Sequence, residues 1–296
     1  MSEIINLAKG NGDDHVYEEA ARMASKKLKN DYSFIIQVWK HELPENTKYP
    51  KVFISTSDEN HQLPEQVHDD SFVHIFKQYI PLRNPRDHTD VYQRFEVDDN
   101  APDMAKAFAA GSNVAVDKVT PLPLCHLKGV ENRNIPIKDR KFDWSWMGQF
   151  NPYTRLYFRG KTDELESSRP QYKNKVLWYY GWNSGEGTSS YTDVINNTKI
   201  MPVPIGSGSV ESFRFFEAMM CGCVVLNTGV PPTEFYNKAP YVKLDDWSQL
   251  VEAMDMLLNN EKKMEEMSQK SKEWYQEFCS PESICDLIVS KLENQE

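Results

Sequence analysis

The run from Pro204 to Leu226, PIGSGSVESFRFFEAMMCGCVVL, gathers residue types that can hold a diphosphate. Gly206 and Gly208 stand between a β-type run, Lys199 to Val203, and a helical one read from Ser209 to Cys221. Without side chains they let a phosphate approach the backbone, and Ser207, Ser209 and Ser212 add hydroxyl donors. The unpaired N–H groups and positive dipole end of a helix start favour the same anion. Arg214 and Glu217, three residues apart, share a helix edge. A guanidinium can clasp a phosphate through paired N–H groups, and a carboxylate can accept from two ribose hydroxyls. Phe213, Phe216 and Met220 read as the core face of this helix, and Gly222 as its end. Spacing alone leaves a second reading open, a Gly-Ser-Gly loop followed by a surface i,i+3 ion pair.

Such a grip needs strands to carry its loops. Asp13 to Lys29 has the spacing of an amphipathic helix, with Val16, Ala20, Met23 and Ala24 on one side. FIIQVW (Phe34–Trp39) and KVFIST (Lys51–Thr56) read as buried strands, and Ser71 to Ile80 contains another. A helix is expected over Asp103–Ala110 and a strand over Asn113–Val119, before the stiff turn Thr120 to Leu124. The polar, aperiodic stretch His126 to Arg140 reads as a linker. Beyond it, strands at Phe142–Met147, Lys175–Tyr180, Lys199–Val203 and Cys223–Leu226 alternate with helices at Tyr153–Leu165, Ser189–Asn196 and 209–221, with a turn at Gly148–Pro152. Helices at Trp247–Asn259, Glu261–Phe278 and Pro281–Leu292 follow. The alternation predicts an α/β chain with two parallel, doubly wound sheets facing each other across a cleft. The expected domains are residues 1–138 and 139–279, with 280–296 as a last helix packing back on the first domain.

Composition narrows the partners. Of 296 residues, 44 are acidic and 34 basic, a net charge of -10 that repels polyphosphate backbones and argues against nucleic acid. A compact site of two or three arginines remains compatible with one nucleotide. The five cysteines, Cys125, Cys221, Cys223, Cys279 and Cys285, form no CxxC pair or zinc-spaced cluster and read as reduced, buried thiols. No apolar run approaches membrane-spanning length and no signal peptide is evident, so the expected location is cytoplasmic unless an N-terminal anchor was removed. No DxD motif follows a strand; Asp98-Asp99 and Asp245-Asp246 read as solvated turns, so no metal and no other cofactor is expected.

The 204–226 run resembles the C-terminal half of exostosin-like transferases (glycosyltransferase family 47 and relatives), whose pattern is P-x-G-x-G, S-x-R-x-x-E-A, then G-C and an apolar strand. Pro204, Gly206, Gly208, Ser212, Arg214, Glu217, Ala218, Gly222 and Cys223 match it. Upstream, Ser57-Asp58-Glu59, Phe76 to Tyr79, Pro121 to Leu124 and Gly148 to Arg155 are similar to successive landmarks of that family, in order. The resemblance implies the GT-B architecture, two Rossmann-like domains with the donor held mostly by the second. Retaining GT-B enzymes commonly carry a glutamate eight residues before the one that Glu217 matches; here that position is Ser209. That departure, with the resemblance, implies an inverting transfer.

Inverting transfer needs a base for the acceptor hydroxyl and positive charge for the leaving diphosphate. Asp58, after KVFIST, is the first candidate base, with Glu59, His61, His68, Asp69 and Asp70 behind it; an Asp-rich solvated loop or helix cap is the alternative. Arg155 falls where GT-B enzymes often place a phosphate-binding arginine, although an exposed helix arginine fits the pattern as well. Tyr180 and Trp182 follow a strand and could pack against a nucleobase, or against the core. Lys77 reads as a surface lysine that could reach a diphosphate. The expected activity is transfer of a sugar from a UDP-sugar to a hydroxyl of a glycan or glycoprotein. The compact form is similar to virus-encoded xylosyltransferases of the group, which implies UDP-xylose. The alternative is a nucleotide-sugar-binding or scaffold protein that kept the fold and lost catalysis.

Overall fold

The structure, a computed structural model, describes residues 2–10, 12–38, 43–57, 65–79, 118–181, 185–206, 211–231 and 233–294. These fall into two compact units. Unit 1 takes the described residues up to 79, 118–128 and 276–294; unit 2 takes those from 129 to 275.

Unit 1 carries five parallel strands, β1 (Glu3–Asn6), β2 (Ser33–Val38), β3 (Lys51–Thr56), β4 (Phe72–Lys77) and β5 (Val119–Pro121), in the order β1-β2-β3-β4-β5. Helix α1 (Asp14–Lys27) follows β1 and buries Val16, Tyr17, Ala20, Ala21 and Ala24, the three alanines letting it lie close. The strands β2 and β3 are buried nearly throughout, as parallel strands covered on both faces must be. Phe53 and Phe72 meet edge to face between Ile35 and Ile75. The strand β1 was not expected; four half-buried residues are too few to show a period. Trp39 and the elements expected over 103–117 lie outside the described residues.

Unit 2 holds β6 (Phe142–Gln149), α2 (Pro152–Ser168), β7 (Asn174–Tyr179), α3 (Thr188–Asn196), β8 (Thr198–Pro202), α4 (Phe213–Met220), β9 (Val224–Asn227), α5 (Glu234–Asn237), β10 (Val242–Lys243), α6 (Leu250–Leu258) and most of α7 (Glu261–Cys279). Its strands are parallel in the order β10-β9-β8-β6-β7. The chain steps outward from β6 to β7, crosses back to β8, then advances the other way. With right-handed crossovers this winds helices onto both faces. Trp144, Trp146, Phe158, Leu226 and Trp247 form the heart of its core. The end of α7 and all of α8 (Pro281–Glu293) belong to unit 1, where α8 packs along α1. Pro281 opens α8 and Ser280 caps it, its Oγ accepting from Ser283 N at 3.1 Å.

Two local expectations are corrected. Gly148 and Gln149, expected in a turn, extend β6, because both still pair with β7 opposite Trp178 and Tyr179. The helix expected from Ser209 starts at Phe213, because Ser212 is extended (φ -143°, ψ 132°) and takes the N-cap place that serine prefers to a helix interior. All five cysteines are free and buried. No described helix is long and apolar enough to cross a membrane.

Candidate functional site

In an open parallel sheet a ligand crevice opens at the carboxyl edge where the strand order reverses. In unit 2 that point lies between β6 and β8. The backbone leaving β6 runs through Gly148 and Gln149, and that leaving β8 through Ile205 and Gly206. The strand order, which no local motif encodes, thus puts the Pro204–Gly206 turn at the reversal.

Trp146 organises this edge. Its indole is fully buried and folds back over Gly148; a Cβ there would stand 2.5 Å from the indole Cζ2, so only glycine fits. The guanidiniums of Arg155 and Arg214 lie 5.3 and 5.1 Å from the indole ring centre. Arg155, on α2, is 2% exposed. Its Nη1 donates to Gln149 O at 2.7 Å, and its Nε and Nη2 donate to Ile205 O at 3.1 and 2.9 Å. It therefore ties the β6 exit to the β8 exit, and its donors are turned to backbone carbonyls. The expectation of an exposed helix arginine is corrected. Arg155 shapes the crevice whether or not it also meets a ligand.

Arg214, on α4, is half-buried and donates Nε to Met147 O at 2.6 Å. Among the described residues its Nη1 and Nη2 fork has no hydrogen-bond partner. Glu217, one turn on, is 1% exposed, and its Oε2 accepts from the Tyr191 hydroxyl at 2.7 Å. Burial lifts the Tyr191 phenol well above its usual range; Glu217's charge adds to this and Arg214's opposes it. Arg214 and Glu217 thus take separate partners. Of the expected core face, Phe216 and Met220 are buried, together with Phe215, Ala218 and Met219, while Phe213 is half-exposed, which corrects the place of Phe213 alone. The physical reason is an aromatic cluster of Phe235, Tyr236 and Trp274 that packs on Phe215 and Phe216. The helix ends in a Schellman turn: Gly222 N donates to Met219 O and Cys223 N to Ala218 O, with Gly222 at φ +69°.

Other expected residues scatter. Ser207, Gly208, Ser209 and Trp182 lie outside the described residues. Tyr180 is 67% exposed, stacks near Phe150, and accepts from Arg159 Nη1 at 2.6 Å. Asp58, Glu59 and His61 also lie outside the described residues, as does the His68 side chain. Asp69 and Asp70 are exposed. Asp69 Oδ1 accepts from Ser71 N at 2.8 Å, and hydrogen bonds from Ser71 hold its carboxyl below the usual range, which makes it a turn cap and a poor base. Lys77, expected on the surface, is fully buried and donates to Gln78 O at 3.1 Å. Among the described residues no group of three or more His, Cys, Asp or Glu side chains is placed to hold a metal.

Sequence reasoning missed a polar cluster at the carboxyl edge of unit 1. Asp13, ahead of α1, is fully buried, and its Oδ2 accepts from Gln78 Nε2 at 2.5 Å, Cys125 N at 3.1 Å and the Tyr17 hydroxyl at 3.2 Å. Burial raises its carboxyl from 3.8 to about 7 against those hydrogen bonds. Gln78 Oε1 accepts from Ser57 N at 2.8 Å, pinning the left-handed residue that follows β3 (φ +56°). The available signal was KGNGDDH, a glycine turn and acidic pair directly before an amphipathic helix; Gly10 and Gly12 both have positive φ.

No protein-family model and no curated protein sequence matches the chain. Solved structures do. Anabaena HepE in complex with UDP and glucose is 9% identical, with 99% of this chain and 100% of that one covered and a TM-score of 0.50. TarM is 12% identical, with 93% and 58% covered and a TM-score of 0.50. The fold is the one these neighbours share: α/β, of GT-B type, with two parallel five-stranded sheets in Rossmann-like units.

Proposed function

We propose that the chain is a glycosyltransferase that draws its sugar from a UDP-sugar. The observation that carries this reading is the Arg214 fork, without a hydrogen-bond partner among the described residues, beside the Glu217–Tyr191 pair at the strand reversal of unit 2. A cation without a hydrogen-bond partner on its fork, next to an accepting carboxylate, suits a diphosphate and a ribose respectively. The complex of Anabaena HepE with UDP and glucose supports the same donor class. Arg214 would take up the charge that develops on the leaving diphosphate.

The finer reading is that of an exostosin-like, inverting, metal-independent enzyme. It uses UDP-xylose and a glycan hydroxyl, with residues 139–279 holding the donor and residues 1–138 the acceptor. Ser209, where a retaining enzyme would carry glutamate, supports inversion. Asp58, at the exit of β3, is the base that the sequence proposes.

Titration calorimetry with UDP and GDP, followed by UDP release from UDP-xylose, UDP-glucose and UDP-galactose, tests the reading. The expected result is micromolar UDP binding, weaker GDP binding, and turnover with one donor in the presence of EDTA. The anomeric configuration of the product by NMR reports inversion. Binding without turnover identifies a scaffold protein instead, and absence of UDP binding refutes the nucleotide site.

A further inference from the structure

Parallel register sorts the residues of the unit 1 sheet into rows, and two neighbouring rows on one face differ in kind. Ile5, Ile35, Phe53, Ile75 and Val119 are successive register partners from β1 to β5 and pack as one apolar cluster. Two residues further toward the carboxyl ends, on the same face, the row is polar. There Gln37 pairs with Ser55, and Ser55 with Lys77. These three are 1%, 3% and 0% exposed. The next residue, Gln78, falls on the opposite face and donates to Asp13 and Tyr17 on the α1 side.

Gln37 is the anomaly in the polar row. Neither atom of its amide has a hydrogen-bond partner among the described residues. A buried amide in that state is unfavourable, because both its N–H and its C=O were hydrogen-bonded in water. Packing does not require a polar group there, since Ile35, on the same strand and face, is an ordinary core residue. The edge is not sealed from solvent. Val38 and Ser57, which follow the row, are half-buried, and Leu7, at the exit of β1, is 44% exposed. The carboxyl edge is also where an open parallel sheet receives ligands. At the far end of the row Lys77 Nζ donates to Gln78 O at 3.1 Å.

We propose that Gln37 and Ser55 bind a sugar through two neighbouring hydroxyls. A carboxamide sets an N–H donor beside a C=O acceptor, the complement of one hydroxyl that accepts and a second that donates. The Ser55 hydroxyl can give and take a further hydrogen bond. A nucleobase edge would match the amide alone, whereas a ring bearing several hydroxyls uses the rest of the row as well. The site is contained in unit 1 and stands independently of the nucleotide reading of unit 2.

Saturation-transfer NMR and calorimetry with xylose, glucose, galactose and adenosine test this on the full chain, in wild type, Gln37→Met and Ser55→Ala. Gln37→Met nearly keeps the side-chain volume and removes both hydrogen-bonding atoms. The expected result is that wild type binds at least one of the three sugars. Gln37→Met weakens that binding roughly tenfold or more, and Ser55→Ala roughly threefold or more. The UDP Kd stays within about twofold in both, because the nucleotide site lies in unit 2. Without sugar, the thermal midpoint of Gln37→Met rises by about a few degrees, since an unpartnered buried amide has been removed. A lowered midpoint shows that the amide serves the fold and overturns the proposal. So does a wild type that binds none of the sugars, or a Gln37→Met variant that binds them as wild type does. Adenosine binding that is lost in Gln37→Met while sugar binding persists assigns the amide to a nucleobase and overturns it too. Absence of UDP binding in wild type, with these sugar results intact, refutes the unit 2 reading and leaves this one standing.

Discussion

Replacing Arg214 by Met keeps the aliphatic stem near Trp146 and removes the guanidinium, which separates the charge from the packing. Among the described residues the guanidinium makes one hydrogen bond, Nε to Met147 O at 2.6 Å. Losing it costs stability of about 1 kcal/mol. The fork is what a diphosphate would engage. One charge-assisted pair at a half-exposed position contributes about 2–3 kcal/mol to binding, which is roughly 30- to 150-fold in UDP affinity. Calorimetry with UDP and with uridine isolates the phosphate contribution, since uridine offers the fork nothing. The expected outcome is a UDP Kd raised by that factor, an unchanged uridine Kd, and a thermal midpoint lowered by a few degrees at most. Equal weakening of UDP and uridine would show that Arg214 acts by shaping the crevice. An unchanged UDP Kd would remove it from the phosphate site altogether.

Gly222→Ala forces an alanine to φ +69° and sets its Cβ 2.4 Å from Lys272 Cε and 2.9 Å from Ser268 Oγ. It should cost about 1–3 kcal/mol of stability in chemical denaturation while UDP affinity holds, since Gly222 closes the far end of α4. The buried Asp13 predicts a pH signature. Its folded pKa is raised from 3.8 to about 7, so the folded state binds the extra proton. This stabilisation is complete below about pH 4 and is lost as pH rises toward 7, by up to about 4 kcal/mol. Asp13→Asn cannot ionise, so its stability relative to wild type should improve steadily from pH 4 to pH 8. A difference that stays flat across that window refutes the burial argument.

Much of the fold was legible because parallel strands and their helices write short, strong patterns. KVFIST was placed to the residue as β3, and α1, β7 and α8 to within about two residues, since each joins apolar periodicity to a clear stop. The misses have local causes. Strand β1 was too short to show a period, the helix expected from Ser209 begins only after Ser212, and Gly148 reads as a turn residue while serving as the floor beneath an indole. Lys77 looked like surface because a buried lysine leaves no mark on sequence pattern.

The sequence by itself determined which chemistry was on offer: glycines and serines in a turn, then an arginine and a glutamate three residues apart. That is so because helix period and residue type are local properties. Tertiary structure decided what each side chain does. The β10-β9-β8-β6-β7 order put the turn at a strand reversal, drew Arg155 onto the carbonyls of Gln149 and Ile205, and left the fork of Arg214 without a hydrogen-bond partner among the described residues. In unit 1 the packing of the α1 entry against the segment after β5 brought His15 against His126 across 111 positions of chain. Contacts of that kind depend on how sheets close and helices lie on them, and no window of neighbouring residues contains that information.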